Sequence, residues 1–420
     1  MMLFVLLIVC LVGIYLIFRF GFTPPPTVED RTKEFNDNTG SGTSGFIDIK
    51  ESKASGKRPV TELLATSDMP EEQQSLVNFY ALGTRFTGYL GPMVNGLFNP
   101  DVAVQLAVNA GCRVFVLDID YMDDCTGEIA KYFPRIVVRD VHGRFMIDKK
   151  TSAPMCNTPE HSTIRDVCEK INFYAFSSSA QNATDPVIVV LNFLRQPPGS
   201  YKSKTVLDYY SHVAKALAPF RDRLITNELE GGTFYRQKQQ GRLLINRITD
   251  YNGKVLLFSN ANTNGFREVN TYRPAEDLDF LTNLRLYYTQ TKVGVTENDT
   301  GAIYGVLQTA GDYLEIPSDR ADDTAENTKL RWTICLSADP SKSVTQKDYD
   351  KITKTYGVHC VPGVLFDPEV KFLFTDKYFK TYSFLPKPEN LRYVKPPVVV
   401  PGEPNPSMNA NKGMLRMPTV

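Results

Sequence analysis

The chain has 420 residues, 42% apolar, 22% charged and 11% aromatic, a globular composition with ample material for a core. Its 47 basic and 47 acidic side chains cancel, and no basic stripe, P-loop or zinc-type cysteine spacing occurs, so nothing points to a nucleic-acid partner. The seven cysteines, at 10, 112, 125, 156, 168, 335 and 360, are widely spaced; reduced thiols are expected for most, with disulfides among the last six as the alternative.

In chain order, residues 2–18 are uncharged and, with Phe20 and Phe22, approach the ~20 residues that span a bilayer. They lack the basic start and small-residue cleavage site of a signal peptide, so a retained single transmembrane helix over 1–22 is expected. Arg19, Arg31 and Lys33 follow the span, which places the large domain on the cytosolic side by the positive-inside rule. Against this orientation stand two glycosylation-type triplets, headed by Asn182 and Asn298. Residues 23–62 open on three prolines and carry few apolar side chains, and are expected to be a flexible tether. Five prolines within 396–406 give residues 396–420 the character of an extended tail.

Between these lies a region of 63–395. Short apolar runs at 113–119, 135–138, 186–194, 254–258, 331–336 and 358–366 read as strands, several buried on both faces. Helices are expected between them: 101–110 with an Asp101 cap and a stop at Gly111, 161–177, 204–219 and 344–355. The stretch 261–330 has no clear period and is read as holding insertions. Strand–helix alternation over this length predicts a parallel α/β fold, and a (β/α)8 TIM-type barrel fits the size.

Two strand ends attract attention as candidate chemistry. One is Gly83-Thr84-Arg85-Phe86. The other carries Asp118 and Asp120 one strand period apart, followed by Asp123 and Asp124. Carboxylates at the end of a barrel strand suit metal binding or general acid/base work; a solvated loop is the plainer reading of Asp120, Asp123 and Asp124. Asp118, inside an apolar run, requires a partner. His142 ends the next strand and precedes a glycine.

The order of these motifs resembles the X region of phosphatidylinositol-specific phospholipases C. "GCRVFVLDI", a histidine-glycine about thirty residues on, and "INFYAFSSSAQNATDPVIVVLNF" match that family's sequence of motifs across 78–194. "YNGKVLLFSN" and "YDKITKTYGVHCVPGVLF" extend the match more weakly. The resemblance implies a phosphodiesterase barrel in which one histidine is the base, a second protonates the leaving oxygen, and calcium or an arginine meets the phosphate charge. His142 stands at the second histidine and Asp118 at a retained acidic position. Arg85 replaces the first histidine, Phe86 the adjacent asparagine or aspartate, and Val116 a calcium-binding glutamate. Asp120 falls where bacterial members place their arginine.

Arginine is no base near neutral pH, because its pKa exceeds about 12. Losing a general base costs about 10²–10⁴ in rate. Asp118 and Asp120 alone make a poor calcium site, since calcium takes about six to eight oxygens. The expectation is therefore a membrane-anchored barrel that is catalytically degenerate, needing no cofactor, or calcium if active. Arg85 then either contacts the phosphate of a phosphoinositide or other phospholipid headgroup, or forms a structural ion pair with Asp118 or Asp120. The alternatives are an active phosphodiesterase with altered residues, which His359 in the last strand region could serve as base from across the barrel mouth, and a structural membrane protein of a large DNA virus virion.

Overall fold

The computed structural model describes residues 27–40, 57–91, 97–121, 132–137, 147–148, 153–154, 163–226, 234–269, 271–287 and 304–395. The expected span 2–18, the tail 396–420, and the candidates Asp123, Asp124, His142 and Asn298 lie outside these residues. Among the described residues no helix is long and apolar enough to cross a membrane.

The first described element is a helix, α1 (Val28–Thr39), within the stretch read as a tether. The structure corrects that reading for these residues. Thr27 and Asp30 form a reciprocal capping box, which satisfies donors that would otherwise be orphaned at the helix start. Phe35 is buried, edge-on to Phe366 with centroids 5.6 Å apart. Asn38 donates to the Leu365 carbonyl. One apolar anchor and two caps order a segment whose average composition is polar. A second short helix, Val60–Thr66, begins inside the same stretch.

The barrel follows. Strand β1 (Gly83–Thr84) leads through α2 (Pro100–Asn109) to β2 (Val114–Asp120), then α3 (Thr163–Ala175) and β3 (Val187–Phe193). Next come α4 (Lys204–Ala216), β4 (Val255–Ser259), β5 (Leu284–Arg285), β6 (Gly305–Thr309), α5 (Ala321–Leu330), β7 (Trp332–Leu336) and α6 (Gln346–Asp350). Strands β1, β2, β3, β4 and β5 pair in that order, all parallel, and β6 pairs β7 in parallel. Parallel bridges join Tyr287 to Val306, Ile334 to Cys360, and Thr84 to Gly363. The residues around 360–363 thus act as an eighth stave. The ring closes through Cys335 N–H to Cys360 O and Gly363 N–H to Gly83 O, each 2.9 Å. Gly83 is required at this seam: a Cβ there would sit 2.6 Å from Cys360 Sγ.

Alternation along the staves separates two cores. Val114, Val116, Ile188, Val190, Leu256, Phe258, Trp332 and Ile334 fill the barrel interior. Phe115, Leu117, Val189, Leu191, Val255 and Leu257 face the surrounding helices. This is the period-two pattern of strands buried on both faces.

Several sequence readings shift in detail. Asn99, not Asp101, caps α2, with Pro100 in the first turn. The run at 135–138 is no stave: Arg135–Ile136 lies antiparallel to the end of β2. The stretch 261–330 supplies stave β5, whose two residues show no period, and stave β6, three of whose five residues are only partly buried. Asn182 is buried and bonded to Arg113 and Ser383, so the acceptor side chain of its triplet is sealed inside the folded domain.

Candidate functional site

The interior positions of β2 run Val114, Val116, Asp118, so the apolar filling gives way to a carboxylate at the strand's C-terminal end. The same change occurs on neighbouring staves. Asn192 ends the interior row of β3 and Asn260 follows β4, each beyond apolar interior residues. Arg85 follows β1, and Ser337 follows β7. All of these lie at the C-terminal rim, the end of a parallel barrel at which loops and staves converge on a ligand.

There they form one hydrogen-bonded chain. Arg85 Nε donates to Asp118 Oδ2 at 2.9 Å, and Arg85 Nη1 to the Ser337 carbonyl at 3.1 Å. Asn192 Nδ2 donates to Asp118 Oδ1 at 2.7 Å. Asn260 Nδ2 donates to Asn192 Oδ1 at 3.1 Å, while Asn260 Oδ1 accepts from Phe193 N–H at 2.7 Å. Both members of the ion pair have side chains only 7% exposed. The chain crosses the mouth and answers the demand that Asp118 have a partner: its two oxygens are each taken, one by a guanidinium and one by an amide.

The backbone after Arg85 is unusual. Phe86 has φ of +64°, the left-handed region that asparagine and aspartate enter more readily than phenylalanine. Its ring is 6% exposed and belongs to the outer core. The turn thus keeps a conformation suited to a small polar residue while the side chain packs as a core residue.

Asp120 goes elsewhere. Arg195 Nε donates to its Oδ1 at 2.9 Å, and Arg195 Nη2 donates to the Tyr121 carbonyl with the guanidinium over the Tyr121 ring. Asp118 and Asp120 therefore serve two different arginines, and the metal role considered for them does not fit. A calcium ion needs free carboxylate oxygens, and a guanidinium already supplies positive charge at Asp118. Among the described residues no group of three or more His, Cys, Asp or Glu side chains could hold a metal ion.

The described histidines are remote from this chemistry. His212 lies on α4 against Phe133. His359, considered as a base across the mouth, is instead at the opposite end, bonded to the start of β7 and to the Val77 carbonyl. This corrects that reading: the stave around 360–363 enters the barrel at residue 359, and its rim end lies near Gly363. Asn192, Asn260 and Arg195 were not singled out from the sequence. Their signal was a polar side chain at the end of an apolar run.

No family model matches the chain, and no curated protein matches it. Solved structures similar to it include the calcium-dependent phosphoinositol-specific phospholipase C of Pseudomonas sp, 12% identical over 76% of this chain and 97% of that one, with a TM-score of 0.45. The L. pealei PLC21 is 14% identical over 89% of this chain, TM-score 0.45; this chain covers 46% of its length. The calcium-dependent phosphatidylinositol-specific phospholipase C of Streptomyces antibioticus is 10% identical over 74% of this chain and 99% of that one, TM-score 0.43. At such identities no residue role passes from them to this chain.

Proposed function

We propose that the chain is a membrane-anchored barrel of phospholipase-C type that has lost hydrolytic chemistry and serves a binding or structural role. One observation carries this reading: the rim position expected to hold a base holds Arg85, locked to Asp118 at 2.9 Å in a buried pair. A guanidinium is no base near neutral pH, and the carboxylate beside it is held between Arg85 and Asn192. Each Asp118 oxygen already accepts a hydrogen bond, one from Arg85 and one from Asn192.

The test uses the full-length chain in detergent micelles. Release of inositol phosphate from phosphatidylinositol, and hydrolysis of a generic phosphodiester, are measured with and without calcium. Turnover at the protein-free background is expected in each case. Robust turnover that disappears in His142→Ala overturns the reading in favour of an active diesterase.

A second reading, binding of a phospholipid headgroup, draws support from Arg85 Nη2, which has no hydrogen bond to the described residues. A guanidinium edge suits phosphate oxygens. Co-sedimentation with phosphoinositide vesicles that is lost in Arg85→Gln, with the circular dichroism spectrum retained, supports it. Absence of both turnover and vesicle binding leaves the structural role, such as that of a virion membrane protein.

A further inference from the structure

At the end of the barrel away from Arg85, Lys387 and His359 are both buried, at 0% and 1% exposure. Their hydrogen bonds define their protonation. The Thr333 backbone N–H, which only donates, lies 3.0 Å from His359 Nδ1, so Nδ1 is unprotonated. The Val77 carbonyl, which only accepts, lies 2.7 Å from Nε2, so Nε2 carries the hydrogen. Two independent contacts thus specify the same neutral tautomer. Lys387 Nζ lies 2.7 Å from that same Nε2. An ammonium there would set hydrogen against hydrogen. Lys387 fits as an uncharged amine whose lone pair shares the single Nε2 hydrogen with the Val77 carbonyl.

Among the described residues the surroundings supply no counter-charge. Lys387 Nζ also donates to the Thr328 carbonyl on α5, at 3.3 Å. From β7 come Thr333 and the Trp332 ring, which stacks on His359. On the strap itself, Arg392 bonds the Lys387 carbonyl and Gln73. On α5, Lys329 is paired with Glu326, which is exposed. Burial holds Lys387 well below the usual amine range, and burial, then Lys387, holds His359 well below the usual imidazole range.

Lys387 sits on a C-terminal strap. Phe384–Pro386 pairs antiparallel with Phe79–Ala81, Lys387 N–H donates to Asn78 O, and Asn78 exchanges hydrogen bonds with Tyr393. We propose that residues 383–395 form an acid-released latch, held on the barrel floor by the neutral Lys387–His359 contact and freed when both groups take up protons. The proline-rich tail continues from this strap. The proposal is independent of the chemistry at the opposite rim.

The sign follows from linkage. In the closed state neither group is protonated. In the released state Lys387 takes a proton below its ordinary 10.5, and His359 a second below its ordinary 6.5. Release therefore becomes about tenfold easier per pH unit between those values and about a hundredfold easier per unit below 6.5, until the closed state itself titrates.

The test is hydrogen exchange of the 420-residue chain, with protection factors for the amides of Phe384, Leu385 and Lys387 compared with residues 187–193 in β3. Protection of those amides is expected to fall about a hundredfold from pH 9 to 7 and about a hundredfold more from pH 6 to 5. Protection in β3 should change by less. Lys387→Met should fold and show no fall between pH 9 and 7. His359→Gln should keep that fall and lose the steepening below 6.5. A flat wild-type profile, an equal fall in β3, or an unchanged slope in Lys387→Met overturns the proposal.

Discussion

Arg85 and Asp118 are 33 positions apart in sequence, and their meeting decides what the rim can do. Removing one partner of a buried pair strands the other charge, at a cost of about 3–5 kcal/mol. Asp118→Ala is therefore expected to lower unfolding free energy by that amount in denaturant titration. Arg85→Met combined with Asp118→Leu should recover most of the loss, because no charge is then left buried. A loss below ~1 kcal/mol in Asp118→Ala would mean that the pair is solvated in solution. Phe86 illustrates a different residue-level conflict. Its left-handed backbone is unfavourable for a bulky side chain, yet its buried ring contributes packing that a small residue would forfeit.

Helix α1 is the element whose placement changes most between sequence and structure. Its composition matches a linker, but order comes from the capping box and from Phe35 against Phe366. Thr27→Ala should cost about 1 kcal/mol through loss of the cap. Phe35→Ala should cost about 3–5 kcal/mol if the helix stays docked, or detach it. Limited proteolysis within 27–40 distinguishes these outcomes; protection unchanged in Phe35→Ala would show that the ring is not the anchor. The stave β5 shows the complementary limit. Its two residues do not define a period, so its strand character arises only from neighbours that offer backbone partners.

Across the whole molecule, buried charges shape the dependence of stability on pH in opposite directions. Burial pushes the Asp185 carboxyl up to about 6, against the pull of Arg113 and a hydrogen bond from Val60 N–H. A carboxyl raised from 3.8 favours the folded state fully below 3.8, and that contribution is lost as pH rises through about 6. At about 1.4 kcal/mol per unit the loss is about 3 kcal/mol. Asp185→Asn should flatten the stability profile between pH 4 and 7 in thermal or denaturant unfolding; an unchanged profile would remove Asp185 as its source. Lys387 and His359 act in the opposite sense, losing stability as pH falls. The four described cysteines, Cys112, Cys168, Cys335 and Cys360, are buried free thiols, matching the expectation of reduced thiols at those positions; Cys10, Cys125 and Cys156 lie outside the described residues.

The long staves and their helices can be read from the chain alone, because burial on both faces writes a near-continuous apolar run at 113–119, 186–194 and 254–258. It also marked Asp118 as a charge out of place in an apolar run and Arg85 as a candidate at the end of the first strand. Only the tertiary structure decided that these two neutralise each other, that Asp120 turns to Arg195, that Asn182 is sealed, and that His359 lies at the floor beside Lys387. The physical reason is common to all four. Periodicity reports how a segment meets its immediate surroundings, whereas a side chain's partner depends on which strand ends the closed barrel brings to the same rim.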